Sequence, residues 1–288
     1  MSQAALGLAY ALGAFGLWGL SPLYWRQLAH VPAFEILLHR AIWSALLMAL
    51  GVRRRSGELR RAFKHRPTVL VLLSTTALVG VNWFLYIRAI EDHRLLDASL
   101  GYYITPLLNV LLGVAVLGER LRPLQGVAAA LALGGVLWLV KLHGHLPWLA
   151  LSLAGTFALY SLLRKAASVD ALIGLSFETL ILAIPAALIV CWLAGRGRAV
   201  PDARTWLLLA GGAGVTALPL LWFVEAARRL DLKTLGFLQF SSPTFQFLIA
   251  FLVFGEPLPK ERFLSFALIW GAVALYCADA ALRSRPKA

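Results

Sequence analysis

The sequence predicts an all-α integral membrane protein of ten transmembrane helices, built as two five-helix units of opposite sense, a 5+5 inverted repeat. Three observations predict it. The 288 residues are 60% hydrophobic and 14% charged, where a soluble domain carries about 25% charged residues. Water cannot cover that much apolar side chain, so lipid is the expected solvent. Ten apolar stretches follow one another at 4–25, 32–52, 67–88, 97–117, 122–141, 147–165, 171–194, 204–227, 232–254 and 261–282. Each is long enough for a hydrocarbon layer about 30 Å thick. Finally, the chain repeats itself. Gly101–Glu119 reads GYYITPLLNVLLGVAVLGE and Phe237–Glu256 reads FLQFSSPTFQFLIAFLVFGE. An offset of 137 residues carries Pro106 onto Pro243, Glu119 onto Glu256, Ala89 onto Ala226, Leu121 onto Leu258 and Gly134 onto Gly271. The units are 1–144 and 145–288. Five spans is an odd number, so the second unit must enter the membrane upside down.

Each span has its own justification. Pro32, Pro67, Pro123, Pro147 and Pro201 stand at span entries, where a missing N–H costs nothing. The connections are all short, which leaves no room for a soluble domain. With the N-terminus inside, 17 of the 27 Lys and Arg fall in inner loops and 9 in outer loops. That bias places both termini in the cytoplasm. The run from Arg53 to Arg66 decides it, and Arg164 and Lys165 count as inner-loop cations. The net charge of +13 is read as this loop pattern, not as a nucleic-acid surface. Cys191 and Cys277 lie in apolar spans and read as packing residues. Met1 to Ala5 carries no basic residue, so no cleavable leader is expected.

An inverted repeat is the architecture of secondary transporters, in which two halves rock about a midplane site. Candidate site residues are therefore polar, charged or aromatic groups inside spans. Asn82 and Tyr86 share a face, with Trp83 beside them. Tyr102, Thr105 and Asn109 share another, and Gln239, Ser242 and Gln246 repeat that stripe in the second unit. Pro106 and Pro243 free backbone carbonyls one turn earlier. Trp18, Trp83, Tyr160 and Trp222 offer an apolar wall, and Pro22 ends the regular part of the first span and offers a hinge there. The blander reading of such groups is interhelical hydrogen bonding and packing.

Glu35, His39, Arg40 and Glu178 are intramembrane charge or proton candidates. Arg40 and Glu178 lie at similar depths in equivalent spans, and either face a central polar cavity, binding an anionic or zwitterionic substrate or relaying protons, or lock helices by ion pairing. Glu35 also fits a helix N-terminal carboxylate. Glu119 and Glu256 end helices where the dipole disfavours a carboxylate. They read as structural staples that bond the N–H groups opening the next span. Gly126, Ala130 and Gly134, with Ala267 and Gly271, make small-residue faces for packing or for a dimer contact.

These residues resemble a family. The P-x11-G-E signature in spans 4 and 9 is similar to that of the drug/metabolite transporter superfamily, EamA type. EILLHRAIWS (Glu35 to Ser44), GVNWFLYIRAI (Gly80 to Ile90), ASLGYYITPLLNVLLG (Ala98 to Gly113) and TLGFLQFSSP (Thr234 to Pro243) resemble its RarD branch. The resemblance covers essentially the whole chain. It implies a multi-pass permease of the bacterial inner membrane, a non-enzyme moving a small organic metabolite or drug, amino-acid-like or amphenicol-like. The chain has no Walker A, HExxH, G-x-S-x-G or Cys-rich motif. No cofactor or metal is implied, and a proton or substrate gradient would drive transport. The expected partners are the substrate and membrane lipid, in a monomer or homodimer. A lipid or polyprenyl-carrier flippase, a channel and a motif-poor intramembrane enzyme are the competing classes.

Overall fold

The computed structural model describes residues 2–91, 95–144, 146–196, 202–253, 255 and 260–284, and among these there are helices and no strand. In order they are α1 (Gln3–Trp25), α2 (Ala33–Val52), α3 (Ser56–Lys64), α4 (Arg66–Glu91), α5 (Leu95–Ala115) and α6 (Pro123–His143). There follow α7 (Trp148–Ala166), α8 (Ala171–Ala194), α9 (Ala203–Arg229), α10 (Leu232–Gln239), α11 (Ser241–Leu252) and α12 (Lys260–Ser284). Six segments are long and apolar enough to cross a membrane by length and composition. Leu207 is 74% exposed and Leu50 71%, an apolar exterior that water would not tolerate.

Helix starts follow local chemistry. Asp170 accepts from the N–H groups of Leu172 and Ile173 at the start of α8, and Asp202 from that of Thr205 at the start of α9. These are N-cap bonds. The Thr205 hydroxyl and N–H together hold the Asp202 carboxyl below the usual carboxylate range. Pro123 opens α6 at its first position. Helix ends explain the signature glycines. Gly118 and Gly255 adopt φ of 68° and 67°, the left-handed conformation that ends a helix and disfavours any Cβ. The Glu119 N–H then returns to the Gly113 carbonyl at 2.9 Å.

Four expectations change here. The ninth apolar stretch is two helices, α10 and α11, broken at Phe240, whereas α5 runs unbroken through Pro106. The basic stretch after α2 folds as the amphipathic helix α3, whose Ala62 is buried with Val52 and Ile173. Pro22 does not end α1, which continues to Trp25. Cys191 and Cys277 are exposed rather than packed.

The core has two main clusters. One joins α1, α7, α8, α9 and α10 around Phe15, Tyr160, Leu175, Phe223 and Leu235. The other joins α5, α6, α7, α11 and α12 around Tyr103, Ala132, Phe240, Phe266 and Ile269. Where α6 meets α12 the seam is made by Ala128, Ala132 and Ala272, all fully buried. A Cβ on Gly135 would sit 2.9 Å from the Ser265 carbonyl oxygen. The stripe expected to pack, Gly126 with Gly134 and Gly271, has nothing within 4 Å of its Cβ positions. The register of small residues is thus one step off the reading above. α5 and α10 approach just as closely: a Cβ on Gly236 would lie 2.6 Å from the Pro106 carbonyl oxygen. A backbone oxygen cannot turn aside. Gly236→Ala is expected to destabilise the fold by about 1–3 kcal/mol, read as a lower thermal midpoint in detergent.

Candidate functional site

A cavity of about 420 Å³ lies between α1, α2, α4, α5, α7, α9 and the α10–α11 break. Nine of the twelve substrate-site candidates line it: Trp18, Asn82, Trp83, Tyr86, Tyr102, Thr105, Gln239, Ser242 and Gln246. Arg40 lines it as well. The helix faces explain the grouping. Asn82 and Tyr86 are one turn apart on α4, and Tyr102 and Thr105 one turn apart on α5, so each pair projects the same way. The rings of Tyr86 and Tyr102 meet across the two helices at 6.2 Å.

The polar groups are held by specific bonds. Pro22 has no N–H to give the Trp18 carbonyl. That oxygen accepts instead from Ser21 Oγ at 2.8 Å and from Gln246 Nε2 at 3.2 Å. The proline thus couples α1 to α11 at the cavity wall. Asn82 donates to the Leu153 carbonyl at 2.8 Å and to Thr156 Oγ1 at 2.9 Å, tying α4 to α7. Arg40 donates from Nε to Thr216 Oγ1 at 3.0 Å. Its guanidinium stands over the Trp25 ring at 5.1 Å and the Trp83 ring at 5.2 Å.

Three candidates fall elsewhere. Asn109 is on the Tyr102–Thr105 face but one turn deeper, fully buried, and donates to Gln239 Oε1 at 2.7 Å. It positions a lining residue. Tyr160 is fully buried and donates to Glu178 Oε2 at 3.1 Å. Trp222 packs over Gly13 of α1.

The charged candidates also separate. Glu178 is not near Arg40. It accepts from Thr75 Oγ1 at 2.6 Å and from Tyr160, and its Oε1 lies 3.7 Å from Nη1 of Arg164. Arg164 is fully buried, which corrects its placement among loop cations: α7 extends to Ala166 and carries it inside the bundle. Lys165, the next residue, points a helical step away and donates to the carbonyls of Ala227 and Leu230. His39 is buried against Trp206, ring centroids 5.0 Å apart. Glu35 sits in the first turn of α2 and outside the cavity wall, which fits the helix-dipole reading.

Glu119 is a staple, but not of the hairpin expected. Its Oε1 accepts from the Leu232 N–H at 2.6 Å and its Oε2 from the Lys233 N–H at 2.9 Å. It therefore caps α10, in the other unit, not the helix that follows it. The equivalent Glu256 lies outside the described residues. Pro243 lines the cavity and its carbonyl faces the Tyr103 hydroxyl.

Sequence reasoning missed Ser21, Trp25, Phe157 and Thr216 on the cavity wall. The signal for Thr216 was available: a buried arginine needs an acceptor. Trp25 stands near a span end, where a tryptophan equally fits a membrane-interface belt.

A protein-family model described as the EamA-like transporter family matches residues 5–141. An uncharacterised transporter of Vibrio cholerae is 45% identical, the match covering 96% of this chain and 93% of the relative. A protein named RarD from Salmonella typhimurium is 42% identical over 99% of each. The chain belongs to the EamA-like transporter family, in its RarD branch. The fold of this RarD-branch chain is also found in a solved crystal structure, with a TM-score of 0.75 at 23% identity, over 95% of this chain and 98% of the other. Family membership makes it a membrane transporter homologue.

Proposed function

We propose that this chain is a secondary transporter of the bacterial inner membrane that moves a small organic molecule by alternating access. Ten crossings form two inverted five-helix units, with both termini in the cytoplasm. The observation that carries this reading is the cavity enclosed between the units. Its lining residues come from both of them. They lie in the half of the bundle nearest the Arg26–Val31 turn and the start of α9, which meet through His30 and Thr205. The other half is filled by the cluster around Phe15, Met48, Val79 and Leu235 and clasped by Glu119 on α10. One end holds a pocket and the other is shut, as a rocking transporter requires.

The helix contacts support the duplication. Under the 137-residue offset α1 corresponds to α7 and α4 to α9. The packed pairs include α1 with α9 and α4 with α7, α1 with α11 and α5 with α7, and α2 with α9 and α4 with α8. Each is the image of the other under exchange of units. The pairs α2–α8, α5–α10 and α6–α12 map onto themselves. Such a map is what a pseudo-two-fold axis relating the units produces, and five spans per unit put that axis in the membrane plane.

Glu178 serves as a structural lock in this scheme, since its carboxylate is engaged by Thr75, Tyr160 and Arg164. The driving gradient acts through the substrate or through another group.

Two measurements test the proposal. In proteoliposomes, counterflow of amphenicols, amino acids or amines is expected to saturate with concentration; flux that rises linearly without limit would indicate a channel. Single cysteines at Arg120 and at Lys260 are expected to label from opposite faces of the membrane. Labelling from one face would overturn the inverted repeat.

A further inference from the structure

We propose that the cavity takes an organic anion with a flat apolar body, its carboxylate seated on Arg40. This deepens the transporter reading of the same site and rests on it. The inference begins with a charge imbalance. Of the 22 described residues lining the cavity, Arg40 is the only charged one, and none is acidic. Among the described residues it has no salt-bridge partner, and its protein hydrogen bond is the Nε contact to Thr216. The terminal amino groups of the guanidinium are left to the cavity.

The other deep cation is treated differently. Arg164 has Glu178 beside it. A cation in a low-dielectric interior without a counter-charge is costly, and such residues commonly mark a substrate path. Trp25 and Trp83 flank the Arg40 guanidinium at 5.1 and 5.2 Å. They exclude water and fix its direction, but their rings do not neutralise it. A carboxylate can accept two parallel bonds from the free edge of such a fork.

Neighbouring groups agree in sign. Asn109 occupies Gln239 Oε1, which leaves the Gln239 amide donors for the cavity. Tyr86 and Tyr102 hydrogen-bond each other, which leaves the pair one hydroxyl proton to donate to the cavity. Trp18 and Phe157, centroids 5.9 Å apart and edge to face, supply an apolar surface against which a flat ring can stack.

The test is calorimetric titration of the purified full chain with three probes of one shape: naphthalene-2-acetate, its primary amide and the matching amine. The acetate is expected to bind at least about tenfold tighter than the amide, the range for a charge-assisted bond, and the amine weakest. Arg40→Gln is expected to abolish the acetate's advantage, and Arg40→Lys to keep part of it. An amide or amine that binds as tightly as the acetate overturns the proposal. So does a preference that survives Arg40→Gln, or failure of all three probes to bind. The wild-type comparison decides the sign of charge even where Arg40→Gln does not fold. Counterflow of the same acetate separates this from the broader reading. A chain that binds the anion but moves nothing refutes transport alone. One that moves neutral or cationic compounds and ignores the anion refutes the anion site alone.

Discussion

Glu178→Gln is expected to cost about 3–5 kcal/mol of folding stability, because it leaves Arg164 as an unpaired charge in the interior. Arg164 has no exposed surface and Glu178 is 1% exposed. Water cannot enter to replace the lost carboxylate. Thr75 donates to Oε1 at 2.6 Å and Tyr160 to Oε2 at 3.1 Å; a glutamine keeps one acceptor oxygen, and its amide can donate to the hydroxyl that loses its acceptor. Loss of those bonds is thus not the main effect; loss of the charge is. Gly174 shows how tightly Arg164 is held, since a Cβ there would collide with its guanidinium. The double variant Arg164→Met/Glu178→Leu removes both charges and is expected to recover most of the stability, as replacing a buried pair by apolar residues often does. Unfolding midpoints of the two variants in detergent make the comparison. A Glu178→Gln protein that melts like the native chain and has lost proton-dependent flux would make Glu178 a proton carrier instead.

That pair also marks the limit of what the sequence could say. The repeat offset, the helix positions and the signature glycines were legible because they depend on local pattern: apolar length, proline position and the left-handed turn at Gly118 and Gly255. The cavity faces on α4 and α5 were legible for the same reason, since residues three or four apart share a side. Depth was not. Asn109 lies on the correct face but a turn below the cavity floor. Partners distant in sequence were not legible either. Arg164 sits beside Lys165 at a helix end, and whether it turns inward is decided by Glu178 on the next helix. The break at Phe240 could not be read from its proline, because Pro106 occupies the same repeat position in an unbroken helix. What differs is upstream. Ser241 Oγ bonds the Leu238 carbonyl at 2.7 Å, a local bond that competes with the helical ladder. Thr105, the residue before Pro106, bonds back four residues to Gly101 within a continuing helix.

Glu119→Gln is expected to weaken the clasp on α10 by about 2–3 kcal/mol, the value of charge-assisted bonds to backbone donors. The first N–H groups of α10 have no partner within that helix, and the Glu119 carboxylate takes two of them at 2.6 and 2.9 Å. Its negative charge also meets the positive end of the α10 dipole. A glutamine offers one oxygen and no charge. Gly113 makes room for this contact: a Cβ there would lie 2.6 Å from Glu119 Oε2 and 3.1 Å from the Lys233 nitrogen. Gly113→Ala should therefore loosen the same clasp without touching the carboxylate. Leu117 packs against the central core beside it, so a cysteine placed there reports on opening. In a Cys191→Ser/Cys277→Ser background, Leu117→Cys is expected to react slowly with a maleimide in the native chain. It should react faster once either Glu119→Gln or Gly113→Ala is added. Equal rates in all three proteins would mean that the clasp caps a helix and does nothing to hold the cavity's far end shut.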